Sequence, residues 1–338
     1  MSFSWRSGRT LPPEQAVIFS QKASPSASGK MQLRHAMWVW NTAQLLTDTP
    51  QVDRLVSAAG PPVNLTDIYL YVAPGWWEEK GASIADLNTR LHGADIRVWA
   101  LDGDVAYIDN TTAQATFLQS LRDLGGFNER VPPAARFHGF QADIEPQDTS
   151  DHHGYFMNGM AESKLAAPQR TSRDDHLRNW LAILTQTSNL TRSYGLEVGA
   201  ALPFWLHDYE GETLTVSVPS PNGTQRTSVM ELIMPLLDEY VVMSYNTIPT
   251  TAANFVSEQA KYASDQARNG SVKMTRVLGA VETAKGIGQG VSYGDTPGKD
   301  SRTAVLEDTN TIESGLARYS AFGGLAIHHW AAWEALAP

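Results

Sequence analysis

From about residue 34 onward, short apolar runs alternate with longer stretches whose apolar residues return every three or four positions. Runs of strand length rich in β-branched and aromatic residues read as buried strands, and the longer spacing reads as amphipathic helices. The first run is HAMWVWN (His35 to Asn41). A helical pattern over Thr49 to Ala59 follows it, with Thr49 as N-cap and Pro50 at the first helical position. The second run, TDIYLYVAP (Thr66 to Pro74), precedes a helix over Ser83 to His92 that Ser83 is expected to cap. The third, IRVWALDGD (Ile96 to Asp104), leads to a helix near Thr112 to Leu124, and the fourth is FHGFQADIEP (Phe137 to Pro146).

A polar segment, Gln147 to Arg173, is too long for a simple connection. Asp174 to Ser193 then returns to helical spacing through Leu177, Trp180, Leu181 and Leu184. The fifth run, LEVGAALPFW (Leu196 to Trp205), is followed by a loop over His207 to Ser228 and a short helix over Val229 to Leu237. YVVMSYN (Tyr240 to Asn246) is the sixth run, with a helix from Ala252 to Arg268 behind it. The seventh, RVLGAVET (Arg276 to Thr283), opens a glycine-rich loop and a helix over Ser301 to Ala321; the eighth is GGLAIHHW (Gly323 to Trp330).

Strands that alternate with helices imply parallel pairing through right-handed crossovers. Eight such units are the number that closes a (β/α)8 barrel, an α/β fold. An open doubly wound sheet would carry a glycine-rich fingerprint after its first strand, whereas HAMWVWN runs into NTAQLL without a glycine. The reading is therefore one barrel domain over residues 34–338 with long insertions after the fourth and fifth strands, preceded by a Ser/Pro/Gly-rich arm over residues 1–33.

Composition narrows the function classes. The net charge of −10 over 338 residues is spread without a basic stripe, which argues against nucleic acid as a partner. No run of 18 apolar residues exists, so no membrane span is expected. The absence of cysteine excludes disulfides, cysteine-bound zinc and a thiol nucleophile. The first residues lack the apolar core of a secretory leader. The expectation is a cytoplasmic chain, or one secreted from a precursor with its own leader. Ten tryptophans and eleven tyrosines supply flat rings of the kind that stack on sugars.

In a barrel of this type the reacting groups stand at the strand ends. Those ends carry Trp38, Trp40, Tyr71, Asp102, Gln141, Asp143, Glu145, Trp205, Tyr245, Asn246, Glu282 and Trp330. Asp143 and Glu145 are two apart, so on a strand they share a face, and two carboxylates in one small space cannot both ionise freely. That is the arrangement of a general acid beside a charge stabiliser. Rings around acids suit carbohydrate as the partner and glycosidic hydrolysis as the reaction. The adjacent pairs His152-His153 and His328-His329 would face opposite ways on a strand and could not chelate one ion, so neither a metal nor any other cofactor is expected. A monomer is expected.

These motifs resemble those of family 18 glycoside hydrolases, the chitinase-like barrels. GFQADIE is similar to the fourth-strand signature Asp-Gly-x-Asp-x-Asp-x-Glu, VVMSYN to the sixth-strand Met-x-Tyr-Asp/Asn, and GGLAIHHW to the eighth-strand segment ending in a tryptophan. The resemblance implies that Glu145 protonates the leaving oxygen and Asp143 orients a substrate N-acetyl group. It further implies that Tyr245 hydrogen-bonds the amide carbonyl and Trp330 lies under the scissile sugar. His138 and Gln141 replace the first two acids of the signature, which puts a 2-acetamido substrate in question. Retaining barrel glycosidases of another clan offer a second mechanism, with Glu145 before Pro146 as acid/base and Glu282 as nucleophile. Ile144 stands there where that clan has Asn, and direct attack needs the carboxyls about 5 Å apart. Two further classes compete: a non-catalytic carbohydrate-binding barrel, and a metal-dependent hydrolase using the histidines. Trp38, Trp40, Tyr71, Asp102, Gln141, Trp205, Asn246 and Trp330 are the expected substrate contacts in the first reading.

Overall fold

Eight parallel strands close on themselves in the computed structural model, which describes residues 31–148, 161–208, 211–221, 223–269 and 273–338. The barrel strands are β1 (Arg34–Val39), β2 (Asp67–Tyr71), β3 (Arg97–Asp102), β4 (Gly139–Ala142), β5 (Glu197–Pro203), β8 (Glu239–Met243), β9 (Arg276–Glu282) and β10 (Phe322–His328). Their order around the barrel is β1, β10, β9, β8, β5, β4, β3, β2. This is a (β/α)8 barrel, as the alternation predicts. Most of the expected arm and the His152-His153 pair lie outside the described residues.

The pleat sorts each strand into two cores. Val98, Ala100, Phe140, Ala142, Val198, Ala200 and Leu202 face the surrounding helices in the outer core. Trp38, Tyr69, Trp99, Leu101, Ala201, Val241, Met243, Leu278, Ala280 and Ala326 fill the barrel interior. At the N-terminal end the filling is ionic. Arg34 Nη1 donates to Glu239 Oε2 at 2.9 Å, and Asp67 accepts from Arg97 Nη2 at 2.7 Å and Trp99 Nε1 at 3.0 Å. The Tyr69 hydroxyl donates to Glu239 Oε1 at 2.6 Å. Buried charges are tolerated only when paired and hydrogen-bonded, as these are. Burial alone would raise the Asp67 carboxyl, but Arg97 and Arg34 outweigh it and hold it below its ordinary value.

Several element boundaries differ from the sequence expectation. The N-cap of the helix Thr49–Ser57 is Asp48, whose carboxylate accepts from Gln51 N at 3.0 Å, so Thr49 is already helical. The next long helix, Gly81–His92, starts before Ser83, which lies in its first turn. The helix Thr111–Arg130 passes through Gly125-Gly126 instead of stopping near Leu124, and Asn110 caps it by accepting from Thr112 N and Ala113 N. The final long helix ends at Leu316, short of the expected Ala321, and Ser301 caps its start.

The segment read as a loop after the fifth strand contains an antiparallel hairpin, β6 (Thr215–Ser220) and β7 (Gly223–Ser228). Its strands pair with each other and not with the barrel. Pro221 and Gly223 stand at its tip, and residues of these types favour turns. Arg226 ties the hairpin to Asp174 on the helix Ala167–Ser193 and to Glu162.

Candidate active site

Three partly exposed rings rest on the C-terminal side of the interior core: Trp40 just past β1, Tyr71 from β2 and Tyr245 beyond β8. Trp40 and Tyr71 have ring centroids 5.6 Å apart, and Tyr71 continues to Trp76 at 6.0 Å. These rings form an aromatic wall at the mouth.

The carboxylates enter from β4. Regular pairing ends at Ala142, and one further bond, Asp143 N to Asp102 O at 3.1 Å, extends it. Alternation persists beyond that point: Ile144 is buried in the outer core, while Asp143 and Glu145 on either side of it are half-buried. The two acids therefore share the opposite face, toward the barrel mouth. Two side chains of the helix Ala167–Ser193 anchor this short run. Trp180 Nε1 donates to the Ile144 carbonyl at 2.8 Å, and His176 Nε2 donates to the Pro146 carbonyl at 2.8 Å. His176 is held in turn by Asp109 Oδ2 at 2.7 Å from Nδ1. The Gln147 amide donates to Glu145 Oε2, orienting the carboxylate from the 3-10 turn Pro146–Asp148.

Tyr245 reports that the acids gather. Burial first, then the charges of Glu282, Asp143 and Glu145, push its hydroxyl well above the ordinary 10.0. It stays a protonated donor across the range in which carboxylates titrate. Beneath Asp143 on the same face, Gln141 is fully buried, and neither atom of its amide has a partner among the described residues. Gly199 on β5 makes room for it, since a Cβ there would stand 1.9 Å from Gln141 Oε1.

Glu282 ends β9 with 3% of its side chain exposed. Its Oε1 accepts from Thr283 N at 2.8 Å and Ala284 N at 2.7 Å, and its Oε2 faces His328 Nδ1 at 2.7 Å. On the other side of that ring, Trp40 Nε1 donates to His328 Nε2 at 3.0 Å. An indole nitrogen can only donate, so His328 Nε2 carries no proton and Nδ1 carries the one given to Glu282.

Four expected substrate contacts stand elsewhere. Trp38 is completely buried one layer below Trp40, in contact with Tyr69 at 5.0 Å between centroids. Asp102 shares the outward face with Val98 and Ala100 and accepts from the Tyr107 hydroxyl at 3.1 Å, so it turns away from the mouth. Trp330 opens the helix Trp330–Ala335 and is 2% exposed in the outer core, because the chain leaves the strand at His328 before reaching it. Trp205 is half-buried against the outer core. Asn246 lies at the rim, where its side chain accepts from Ile248 N at 2.9 Å in the turn that opens the helix Pro249–Arg268. Gln147, His176 and Trp180 enter the site without having been named in it from the sequence, and His328 enters it in a role other than the metal ligation weighed there. The alternation of Ala326 with His328 was the available signal for His328; the helix pair has no local signal, since its partners lie 30 and 36 positions away.

No protein-family model matches the chain, and no curated protein matches it. Among solved structures, the chain is similar to a chitinase from Chromobacterium violaceum ATCC 12472 at 13% identity and a TM-score of 0.47, over 89% of this chain and 98% of that one. It is similar to the C-terminal domain of a chitinase candidate from Desulfitobacterium hafniense DCB-2 at 12% identity and a TM-score of 0.43; 75% of this chain and 66% of that one are covered. A D-psicose 3-epimerase from Clostridium cellulolyticum H10 is similar as well, at 8% identity and a TM-score of 0.45, over 86% and 100% of the two chains. The barrel itself rests on the strand order and register given above.

Proposed function

We propose that the chain is a glycoside hydrolase in which Glu145 is the proton donor. The observation that carries this reading is the shared face of Asp143 and Glu145 at the barrel mouth, with the charges of both acting on the Tyr245 hydroxyl. The Glu145 carboxyl gives its proton to the glycosidic oxygen as the bond from that oxygen to the anomeric carbon breaks, and the leaving alcohol departs with the bonding pair. Positive charge developing on the sugar is met by the Asp143 carboxylate. Where the sugar carries a 2-acetamido group, its carbonyl oxygen closes on the anomeric carbon, with Asp143 accepting from the amide N–H and Tyr245 donating to the carbonyl. Water then attacks, and the Glu145 carboxylate takes its proton.

The sealed state of Glu282 favours this route over direct attack by that residue. With three donors already on its two oxygens and little exposure, it would have to shed partners to reach a sugar carbon. Gln141 favours a second reading, a barrel that binds carbohydrate without cleaving it, because an amide cannot share a proton with Asp143 as an acid could. A polysaccharide and oligosaccharide panel separates the two. Cleavage of a panel member by the wild type, lost by more than 1,000-fold in Glu145→Gln with binding kept, supports the enzyme. Binding by the wild type without release of reducing ends supports the binding barrel, and a fully active Glu145→Gln refutes the assignment.

A further inference from the structure

The bond between His328 and Trp40 has a use that packing does not require. At the partly exposed mouth, an indole N–H could be satisfied by water at little cost. Instead a fixed series of groups holds it: the Thr283 and Ala284 amides grip Glu282, Glu282 takes the Nδ1 proton of His328, and His328 Nε2 accepts from Trp40 Nε1. The imidazole is wedged edge-on to Trp38 at 5.6 Å and tilted against Tyr245 at 6.0 Å, so it has little room to turn. The array joins the ends of β1, β9 and β10 and leaves the Trp40 ring beside Tyr71. Trp330, the ring that the sequence resemblance put under the sugar, is buried in the outer core.

We propose that His328 is a positioning residue that locks the Trp40 indole as the stacking floor for a pyranose ring at the Glu145 centre. The inference rests on the carbohydrate reading above. An aromatic face binds the C–H face of a sugar best when it does not have to be ordered at the moment of binding. The working form of His328 is the neutral ring with its proton on Nδ1. Adding a proton to Nε2 would set two N–H groups against each other and release Trp40. The ionisable groups facing the ring are Glu282 on β9, Tyr245 beyond β8 and His329 next in the chain, with the Asp143 and Glu145 charges reaching Tyr245 from β4.

Two measurements on the full chain test this. The first needs no sugar: the indole N–H resonance of Trp40, assigned by its loss in Trp40→Phe, should move in His328→Leu and return toward the wild-type position in His328→Gln, which restores an acceptor. A resonance unchanged in His328→Leu overturns the bond. The second uses oligosaccharides of N-acetylglucosamine, glucose and xylose as probes. For any probe bound by the wild type, His328→Leu and Trp40→Phe should each weaken binding tenfold or more, with the double variant no weaker than the worse single, and His328→Gln should stay within threefold. Where the probe is cleaved, the loss should fall on KM with kcat changed less than threefold. Unchanged affinity in both single variants overturns the platform role. A wild type that binds none of the probes overturns the carbohydrate reading and the platform with it, while the resonance still decides the bond. Should His328→Leu fail to fold, Trp40→Phe and His328→Gln carry the same comparison.

Discussion

Replacing Trp180 by Phe tests whether the helix Ala167–Ser193 controls the run after β4 that carries Asp143 and Glu145. Trp180 is completely buried, and its Nε1 is the donor to the Ile144 carbonyl at 2.8 Å. Phenylalanine keeps most of the apolar contact but orphans that carbonyl, which costs about 1–3 kcal/mol, and the smaller ring leaves a void worth roughly another 1 kcal/mol. The expected loss is therefore about 2–4 kcal/mol. Trp99→Phe is the matched control, since Trp99 is equally buried and donates to Asp67 at the opposite end of the barrel. Both variants should lower the denaturation midpoint by comparable amounts at unchanged m. They should part in turnover. Ile144 lies between Asp143 and Glu145, and a displacement of about 1 Å at reacting groups can cost 100-fold. Trp180→Phe should thus lose at least tenfold in kcat on a substrate of the wild type while Trp99→Phe stays within twofold. Equal turnover in the two variants at equal loss of stability would refute the claim that this helix positions the acids.

Other consequences follow from the same geometry. Burial raises the Asp102 carboxyl from its ordinary 3.8 to about 6, against the pull of Tyr107 and the Gly103 amide. The folded state therefore binds this proton more tightly than the unfolded chain, and the associated stability is full below about pH 4 and lost as pH rises through 6. The shift corresponds to about 3 kcal/mol, so Asp102→Asn should flatten the dependence and be the more stable protein at pH 8 in equilibrium unfolding; an unchanged pH profile would contradict it. Gly199→Ala would press a methyl group into Gln141 Oε1, and overpacking of this kind costs about 1–3 kcal/mol, measurable as a lower unfolding midpoint. A neutral Gly199→Ala would mean that the Gln141 amide moves without consequence.

The sequence by itself determined the number and order of the barrel strands, and it put Asp143 and Glu145 on one face. Both follow from local periodicity, which survives in any tertiary setting. It did not determine depth or direction. Trp38 on β1 and Trp40 just past its end are two apart, and only the register that pairs Trp38 with Tyr69 decides that one is core and the other mouth. In β3 both faces are apolar, so no alternation marks Asp102 as outward; the interior position of Trp99 and Leu101 does. Trp330 left the mouth because the strand ended two residues before it. Glu282, His328 and Trp40 are separated by up to 288 positions in the chain, and only barrel closure brings β1, β9 and β10 into contact. Short-range rules set which way neighbouring residues point relative to one another. Long-range pairing set which of those faces and layers became the site.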